Sequence, residues 1–277
     1  MPHEPVVFVE LRDSAGVLRQ RVEADLASLL WQYDRIGGCG DFSMVLARRA
    51  EDHGGIGPEW DCRIYVRRTD ANSFDLWYRG IVEEMARVVD EPESIEVSGR
   101  GYIQQLDRVL FTRTYSVSEV ASIVTDIATR DLLPNSDVTL GTIDVASVTV
   151  QTIAFTNVTV KDAIGQLADI VGTREWGVDR NLNLFFRTRT TSINLRLVPG
   201  ENLARLEQRD RYGDIVNRVT VEGDSVGGAT ISVTRNNSAS QVAYGLRSKL
   251  VQAGAVQNSV DAAALGDAIL EESRLPR

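Results

Sequence analysis

The stretch from Asp162 to Phe186, DAIGQLADIVGTREWGVDRNLNLFF, constrains the fold most, because it places a short helix directly before a β-hairpin. Thr159 and Asp162 fit a capping box at the start of the helix, and Gly172 is typical of a helix end. Alternating apolar residues then predict two strands with a turn near residues 179–181. The apolar face of the helix consists of Val160, Ile164, Leu167 and Val171. The apolar side of the second strand consists of Leu182, Leu184 and Phe186.

The first third of the chain alternates between apolar and polar residues, as half-buried β-strands do. The cluster Asp13–Gly16 is a turn signal between two such strands. Strands are predicted at residues 6–13, 17–23, 41–49, 63–69, 75–90 and 94–101. Residues 24–33, ADLASLLWQY, fit either a strand that crosses the core or one helical turn. So many hairpin-type strands predict an antiparallel sandwich or barrel.

The middle third changes to the spacing of a helix. Residues 116–133 have apolar side chains at helical intervals, and Ser116 with Glu119 fits a second capping box. The apolar positions of this predicted helix are Val117, Val120, Val124, Ile127 and Leu132. Residues 138–157 are strand-like and separate it from the helix that follows Thr159.

The last third returns to β patterns. Strands are predicted at residues 193–203, 215–223 and 229–237, and a helix at residues 259–275. The order is therefore β, then helix and hairpin, then β. This order divides the chain into a first β region at 1–108, an inserted α/β region at 109–190 and a second β region with a C-terminal helix at 191–277.

The charge balance argues against nucleic-acid binding. The chain has 30 Lys and Arg residues against 39 Asp and Glu residues, a net charge of −9. The first region alone contributes 13 basic and 20 acidic residues, and the second β region is neutral. An acidic surface repels phosphate, whereas a nucleic-acid-binding domain carries a basic patch.

The glycine-rich segments do not carry the context of a phosphate site. Residues 37–42, GGCGDF, lead into an alternating strand and not a helix, so they predict a tight strand entry. Gly99 and Gly101 lack the third glycine of a dinucleotide fingerprint and predict a backbone bend. We therefore expect no cofactor.

Catalytic and metal-binding patterns are equally sparse. Two cysteines and two histidines match no zinc spacing and do not favour a catalytic triad. These residues are Cys39, Cys62, His3 and His53, and both cysteines are expected to be buried free thiols. The adjacent acids Glu83–Glu84 and Glu271–Glu272 diverge in a strand or helix, so they predict solvated surface and not a glycosidase pair. We expect no catalytic residue, no metal ligand and no enzyme activity.

The four tryptophans are scattered at positions 31, 60, 77 and 176. Their spacing favours packing in the core or at an interface over a sugar platform. If the Trp77 ring is buried, truncation to alanine should cost roughly 3–5 kcal/mol. The sequence also has no membrane-spanning apolar run and no signal-peptide pattern, which predicts folding in a cytoplasm.

Three segments of the first region resemble the first domain of phage tail baseplate hub proteins. They are GCGDFSMVLARR, RIYVRRT with LWYRGIVEEM, and SIEVSGRGYIQQLDRV. The matching elements lie at Gly40–Phe42, Trp77–Val82 and Gly99–Arg108. The stretch from Ile153 to Phe186 is similar to the central module of this family. NRVTVEG and VAYGLRSKL resemble the return to its second tube-like domain.

The resemblance implies two tube-protein-like antiparallel β-barrel domains separated by a small helix–hairpin module. Such hubs occur in siphophages, contractile phages and gene transfer agents. A homotrimer then presents six barrels in a pseudo-sixfold ring that extends the tail tube. The implied partners are the distal tail protein ring, the tail tube, the tape measure protein and tip or fibre proteins. The implied location is the virion tail, assembled in the host cytoplasm.

DNA would pass through the channel of such a ring without specific binding. A neutral to acidic lining suits this, because each cationic contact adds salt-sensitive affinity for the phosphate backbone. We expect a share of five acids near the lumen, namely Asp13, Asp25, Asp34, Glu83 and Glu84. The alternative is that they only keep the outer surface soluble.

Two other functions stay open at this point. A receptor- or carbohydrate-binding module of the tail tip would need a cluster of exposed aromatic rings. A cell-wall hydrolase would need a convergent acid pair or a histidine-based site in a cleft.

Overall fold

The computed structural model describes residues 6–48, 55–67, 73–89, 93–189, 214–224, 230–254 and 256–273. Strands are the main elements of this part, which confirms the mainly β fold with few helices. The strand predicted at 193–203 lies outside the described residues, and so do His3 and His53.

Seven strands of the first region form one antiparallel sheet. They are β1 (Val6–Arg12), β2 (Leu18–Val22), β3 (Leu26–Asp34), β4 (Gly37–Leu46), β5 (Asp61–Arg67), β6 (Asp75–Val88) and β7 (Ser94–Gly101). Their order across the sheet is β2-β1-β5-β6-β7-β4-β3. The six predicted strands are confirmed, and the ambiguous segment 24–33 is found to be a strand.

One face of this sheet covers a common core, because alternate residues of each strand point to the same side. The core includes the fully buried side chains of Val9, Leu11, Met44, Leu46 and Ile64. Residues 23–25 connect β2 directly to β3, so the two outer strands meet at one end. There Arg48 donates to Gln20 Oε1 at 2.9 Å and pairs with Asp25. No pairing between β2 and β3 is found among the described residues, so the sheet is not a closed barrel.

The inserted region combines a two-stranded ribbon with two helices and strands of the first sheet. The strands β8 (Leu110–Glu119) and β10 (Thr149–Thr159) form a two-stranded antiparallel ribbon. A π-helical turn at Ala128–Leu132 and the strand β9 (Thr139–Ile143) lie between β8 and β10 in the sequence. The helices α1 (Val120–Ile127) and α2 (Val160–Val171) bury their apolar faces in the core of this region. A 3₁₀ helix at Tyr102–Asp107 leads into the region from β7.

The helix and hairpin that dominate the sequence pattern are confirmed. The Thr159 hydroxyl accepts the Asp162 N–H at 3.0 Å, and Gly172 ends α2 with a left-handed φ of 74°. The hairpin strands are β11 (Arg174–Val178) and β12 (Asn183–Thr188). In the turn, Asp179 Oδ1 accepts the N–H groups of Asn181 and Asn183. The predicted face of Leu182, Leu184 and Phe186 lies in the core.

This hairpin also extends the first sheet. β11 pairs in parallel with the start of β4, through Gly177 with Gly37 and Val178 with Gly38, and β12 pairs in parallel with β9. The core of the inserted region includes Ile81 and Leu106, which belong to the first region. The inserted region is therefore packed on the first sheet and is continuous with it.

The predicted start of α1 is wrong. Ser116 lies in β8, and Glu119 is itself the N-cap residue, whose carboxylate accepts the Ser122 N–H at 2.9 Å. Val117, predicted on the helix face, is 69% exposed with a φ of 43°. The apolar spacing at Val120, Val124 and Ile127 does mark the helix.

The last region forms a three-stranded sheet with the order β14-β13-β15. Its elements are β13 (Arg218–Asp224), β14 (Thr230–Asn236), α3 (Ser238–Tyr244), β15 (Ser248–Gln252) and α4 (Ser259–Ser273). β13 pairs antiparallel with β14 and in parallel with β15, and α4 packs on the sheet. The predicted strands at 215–223 and 229–237 and the C-terminal helix are confirmed. The described part of this region contains no closed barrel.

A membrane-spanning helix must be long and apolar. No helix within the described ranges of the chain meets both conditions.

Candidate functional site

The two thiols of the chain are sequestered. Cys39 and Cys62 are both buried, and burial raises the pKa of Cys39 to about 11 and also raises the pKa of Cys62. Both thiols are therefore protonated and poorly nucleophilic at neutral pH. Within the described ranges, no group of three or more histidine, cysteine, aspartate or glutamate side chains could hold a metal ion.

The buried carboxylate of Asp61 belongs to a structural network. It accepts hydrogen bonds from Arg63 Nε at 2.7 Å, Arg79 Nε at 2.8 Å and the Tyr102 hydroxyl at 3.1 Å. Both carboxylate oxygens are thus occupied by protein donors. The network joins β5 and β6 to the 3₁₀ helix. It leaves neither oxygen of Asp61 free to act as a general base.

Two of the acids expected near a lumen are held by arginines at the β2 end of the sheet. The Asp13 carboxylate accepts hydrogen bonds from the backbone N–H groups of Ala15 and Val17. It accepts a third hydrogen bond, of 2.7 Å, from Arg19 Nε. The backbone N–H of Val17, the largest influence, lowers the pKa of Asp13. Asp25 pairs with Arg48 beside the β2–β3 connection. These carboxylates add little net negative charge where they lie.

The other three acids differ from one another. Glu83 receives two hydrogen bonds of 2.8 Å from Arg100 on the neighbouring strand β7. Asp34 Oδ1, at the end of β3, accepts the Gln32 side-chain amide at 2.8 Å. Glu84 is exposed on β6 and forms no ion pair within the described part of the chain. The five acids therefore do not form one strongly acidic surface.

The tryptophans are confirmed as packing residues at three of four positions. Trp31 and Trp60 pack against the core of the first sheet, and Trp176 is buried in the core of the inserted region. Trp77 is 39% exposed, so its truncation should cost less than the 3–5 kcal/mol expected of a buried ring.

A cleft of about 860 Å³ marks the joint between the inserted region and the last sheet. Its walls come from α2, β11, β15 and α4, and they include Trp176, Arg174 and Lys249. Arg189 and Asp214 also line it, and the residues between these two lie outside the described ranges. The cleft shows where the regions meet.

Exposed apolar residues lie on the free side of β3 and in the turn that follows it. This outer strand pairs with β4 alone within the described residues. Leu30 is 71% exposed, Tyr33 is 50% exposed, and Ile36, just after the strand, is 52% exposed. We call this free side of Leu26–Asp34 the β3 edge. Exposed apolar residues on an unpaired strand mark a surface for association with another chain.

The sequence does not predict this edge, because residues 24–33 fit either a strand that crosses the core or one helical turn. The useful signal was the eight-residue run LASLLWQY, which lacks charge, glycine and proline. Such runs have a strong tendency to pair as strands.

No protein-family model matches this chain, and no curated protein matches it in sequence. Solved structures do match it over 98% of its length. One is the 43 kDa tail protein of prophage MuSo2 from Shewanella oneidensis, with a TM-score of 0.70, 16% identity and 79% of that chain covered. A second is the tail protein from Neisseria meningitidis MC58, with a TM-score of 0.67, 14% identity and 77% covered.

A third is the prophage tail protein gp18 from Listeria monocytogenes EGD-e, with a TM-score of 0.60, 11% identity and 78% covered. These similarities run through all three regions of the chain. They establish that the chain has the fold of phage tail proteins.

Proposed function

We propose, from the premise that this chain has a phage tail fold, that it is a structural hub of the baseplate or tail tip and not an enzyme. The observation that carries the proposal is a structural match to three tail proteins. The match covers 98% of this chain and 77–79% of each tail protein. A shared domain alone would cover less of both partners. The sequestered thiols and the arginine-bound carboxylates are consistent with a structural role.

The proposed assembly is a homotrimer in which each chain fills two of six positions around a channel. Residues 1–108 take one position and residues 191–277 the other, each as a tube-like β domain, and residues 109–190 set their separation. Ile170 on α2 supports this arrangement, because it packs against the core of the inserted region and also against the core of the last sheet. Closed threefold symmetry then matches a sixfold tail tube.

The proposed channel conducts DNA without gripping it. Pairing of Asp13, Asp25 and Glu83 with arginines favours a nearly neutral surface over a strongly charged one. A weakly charged lining adds little salt-dependent affinity for the phosphate backbone. The ring would join the tail tube and distal tail protein ring on one side and tip or fibre proteins on the other, with the tape measure protein inside.

The two alternatives receive less support from the geometry. The exposed aromatic residues Tyr33 and Trp77 lie on β3 and β6, which β4 and β7 separate in the sheet. Three strand spacings put these two strands about 14 Å apart, too far for one sugar platform. A hydrolase would need a free acid pair, whereas Asp61 and Glu83 are bound by arginines.

The experiment that tests the hub proposal is imaging of the purified protein and of tails that contain it. Three copies around an open channel, at the end of the tail tube, are expected. A chain attached singly to the outside of the tail would contradict the proposal and favour a receptor-binding module.

A further inference from the structure

The strand β15 is an outer strand of the last sheet. Within the described residues it pairs with β13 alone, so the other side of its backbone has no partner strand there. Four of its five side chains are exposed, and Leu250 is 56% exposed. We call this free side of Ser248–Gln252 the β15 edge. The unused backbone N–H and C=O groups of such an edge are a template for a further strand.

The cleft between the inserted region and the last sheet runs along the β15 edge. Six consecutive residues, from Lys249 to Gly254, line it. Successive side chains of a strand point to opposite faces of the sheet. A cavity that is lined by consecutive residues therefore lies beside the edge of the strand and not over one face.

The opposite wall of the cleft is already in place. It comes from α2 and β11 and includes the apolar side chains of Ile170 and Trp176. At Gly172 the end of α2 contacts α4, since a Cβ there would lie 2.8 Å from the Cβ of Ala268. The strands β11 and β15 thus line the same cavity without pairing with each other. Its volume of about 860 Å³ is in the range of preformed binding sites.

A buried cation in this wall lacks a close anionic partner. The Arg174 side chain is 5% exposed, and its one ion pair within the described ranges is with Asp144, at 3.8 Å. Its two Nη atoms donate to neutral oxygens, Thr188 Oγ1 at 2.8 Å and the Val145 carbonyl oxygen at 2.5 Å. A guanidinium whose charge is poorly compensated favours an anion nearby.

The lining as a whole is also positive. Lys249 is exposed on the β15 edge and forms no ion pair with any residue that the structure describes. The described lining has three cations and two carboxylates, namely Arg174, Arg189 and Lys249 against Asp169 and Asp214. The cleft therefore has an excess of positive charge, although the whole chain has a net charge of −9.

We propose that this cleft binds an extended acidic segment of another protein, which adds as a strand to the β15 edge. Backbone hydrogen bonds to β15 would supply affinity, and contacts with alternate side chains would supply specificity. Apolar side chains of the segment would pack against Leu250, Ile170 and Trp176, and an acidic side chain would lie beside Lys249. The site goes beyond the hub function and does not depend on a ring, because all of its walls belong to one chain.

The test of strand addition uses the full chain and a fluorescent peptide of about eight residues, the length of an ordinary strand. The peptide alternates valine and threonine around one central glutamate, and fluorescence anisotropy measures its binding. Two further versions carry N-methyl groups on the odd or on the even amides, which lie on opposite edges of an extended peptide. One version should bind about 100-fold more weakly, because its backbone hydrogen bonds to β15 are lost. Equal affinity of both versions would overturn strand addition.

The two lysines of the chain provide a matched test of the charge. Lys249→Gln should weaken binding of the glutamate peptide about tenfold and leave binding of a glutamine version unchanged. Lys161→Gln is the control, because Lys161 bonds to Asp107 at 2.7 Å and does not line the cleft. Circular dichroism checks that both variants fold. An equal loss for both peptides would contradict the contact with Lys249.

A crosslinking experiment identifies the occupant of the cleft. Leu250→Cys is labelled with a benzophenone maleimide, and the buried Cys39 and Cys62 do not compete for the reagent. Illumination should attach the glutamate peptide to this position. Attachment to a second copy of the chain or within the same chain, with the peptide present in excess, would overturn the proposal. Absence of peptide binding by the folded wild-type chain would overturn it as well and leave the hub function standing.

Discussion

Arg35 and Glu175 lie 140 positions apart in the chain, yet Arg35 Nε donates a 2.7 Å hydrogen bond to Glu175 Oε1. Arg35 belongs to the turn between β3 and β4, and Glu175 belongs to β11, where the inserted hairpin joins the first sheet. The Glu175 side chain is only 3% exposed, and Arg187 Nε lies 3.5 Å from its other oxygen. This ion pair therefore ties the inserted region to the first β region.

The two partners of this pair should respond differently to truncation. Arg35→Ala leaves the buried carboxylate of Glu175 with the longer contact to Arg187 as its one ion pair among the described residues. The substitution should lower the free energy of unfolding by about 2–3 kcal/mol. Glu175→Gln leaves exposed guanidinium groups that water can solvate, and should cost about 1 kcal/mol. Urea denaturation measures both values.

Arg130→Ala is the matched control. Arg130 pairs with Asp126 one helical turn away, and its side chain is 65% exposed. Its truncation should change the free energy of unfolding by no more than about 0.5 kcal/mol. Equal costs for Arg35→Ala and Arg130→Ala would show that the connection between regions does not depend on this pair.

Gly101 should be intolerant of any side chain. A Cβ there would lie 1.8 Å from the Cys39 carbonyl oxygen, because β7 runs against the backbone of β4 at this point. Gly101→Ala should therefore lower the free energy of unfolding by about 3 kcal/mol or more.

Gly165 in α2 is the control, since a Cβ there would lie 3.4 Å from the Trp176 ring. Gly165→Ala should leave stability unchanged or raise it by up to about 1 kcal/mol. Thermal unfolding of both variants decides, and a mild effect at Gly101 would contradict the close approach.

The thiols should react only when the protein unfolds. Burial raises the pKa of Cys39 to about 11 and raises that of Cys62 as well. The folded state therefore stays protonated, while the unfolded chain ionises near its ordinary value of 9.0. Since the unfolded state then binds fewer protons, stability should fall as pH rises from about 9 towards 11.

A thiol reagent at pH 8 should label neither cysteine in the native protein and both in urea. Rapid native labelling would be inconsistent with this burial.

Glu119 should act as the cap of α1, and Ser116 should not. Glu119→Ala removes the acceptor of the Ser122 N–H at 2.9 Å and of the Ala146 N–H at 2.7 Å, and should cost about 1–2 kcal/mol. Ser116→Ala should cost almost nothing, because Ser116 is an exposed residue of β8. Chemical denaturation of the two variants compares them, and a larger loss at Ser116 would restore the capping box predicted from the sequence.

The same carboxylate predicts a dependence on acid. Burial alone would raise the pKa of Glu119, but the backbone N–H groups of Ala121, Ala146 and Ser122 outweigh it, and the pKa is lowered. Its contribution is therefore present above the ordinary value of 4.5 and is lost as pH falls through the lowered pKa. The stability difference between wild type and Glu119→Ala should shrink below pH 4.5, and a constant difference would contradict the role of the charge.

Local pattern was sufficient for the elements whose signals agree with one another. The helix α2 has its cap at Thr159, its stop at Gly172 and an apolar face between them, so all three signals place it alike. For α1 the signals conflicted. Val117 fits the helical spacing by coincidence, and the sequence pairs Ser116 with Glu119 as a capping box, whereas Glu119 is itself the cap.

Pairing between distant segments could not be predicted from the sequence. The hairpin strand β11 joins β4 because the backbones approach closely at Gly38, where a Cβ would lie 2.1 Å from the Val178 carbonyl oxygen. That requirement appears only when both strands are in place. The glycines of residues 37–42 predict a strand entry, which the structure confirms. Their role in accepting a parallel neighbour depends on residues far along the chain.

The candidate assembly surface was hidden for a similar reason. An outer strand and a central strand of one sheet can have the same local composition, so LASLLWQY indicates a strand but not which strand of the sheet. Only the sheet order shows that β3 is at the edge with Leu30 outward.

The most direct test of the hub function is electron cryomicroscopy of tails that contain this chain. The account predicts three copies in a ring around an open channel, with the first and last β regions alternating at six positions. It also predicts a lumen whose lining is neutral to acidic. A monomer or dimer within the tail, or a lumen lined mostly by arginine side chains, would contradict it.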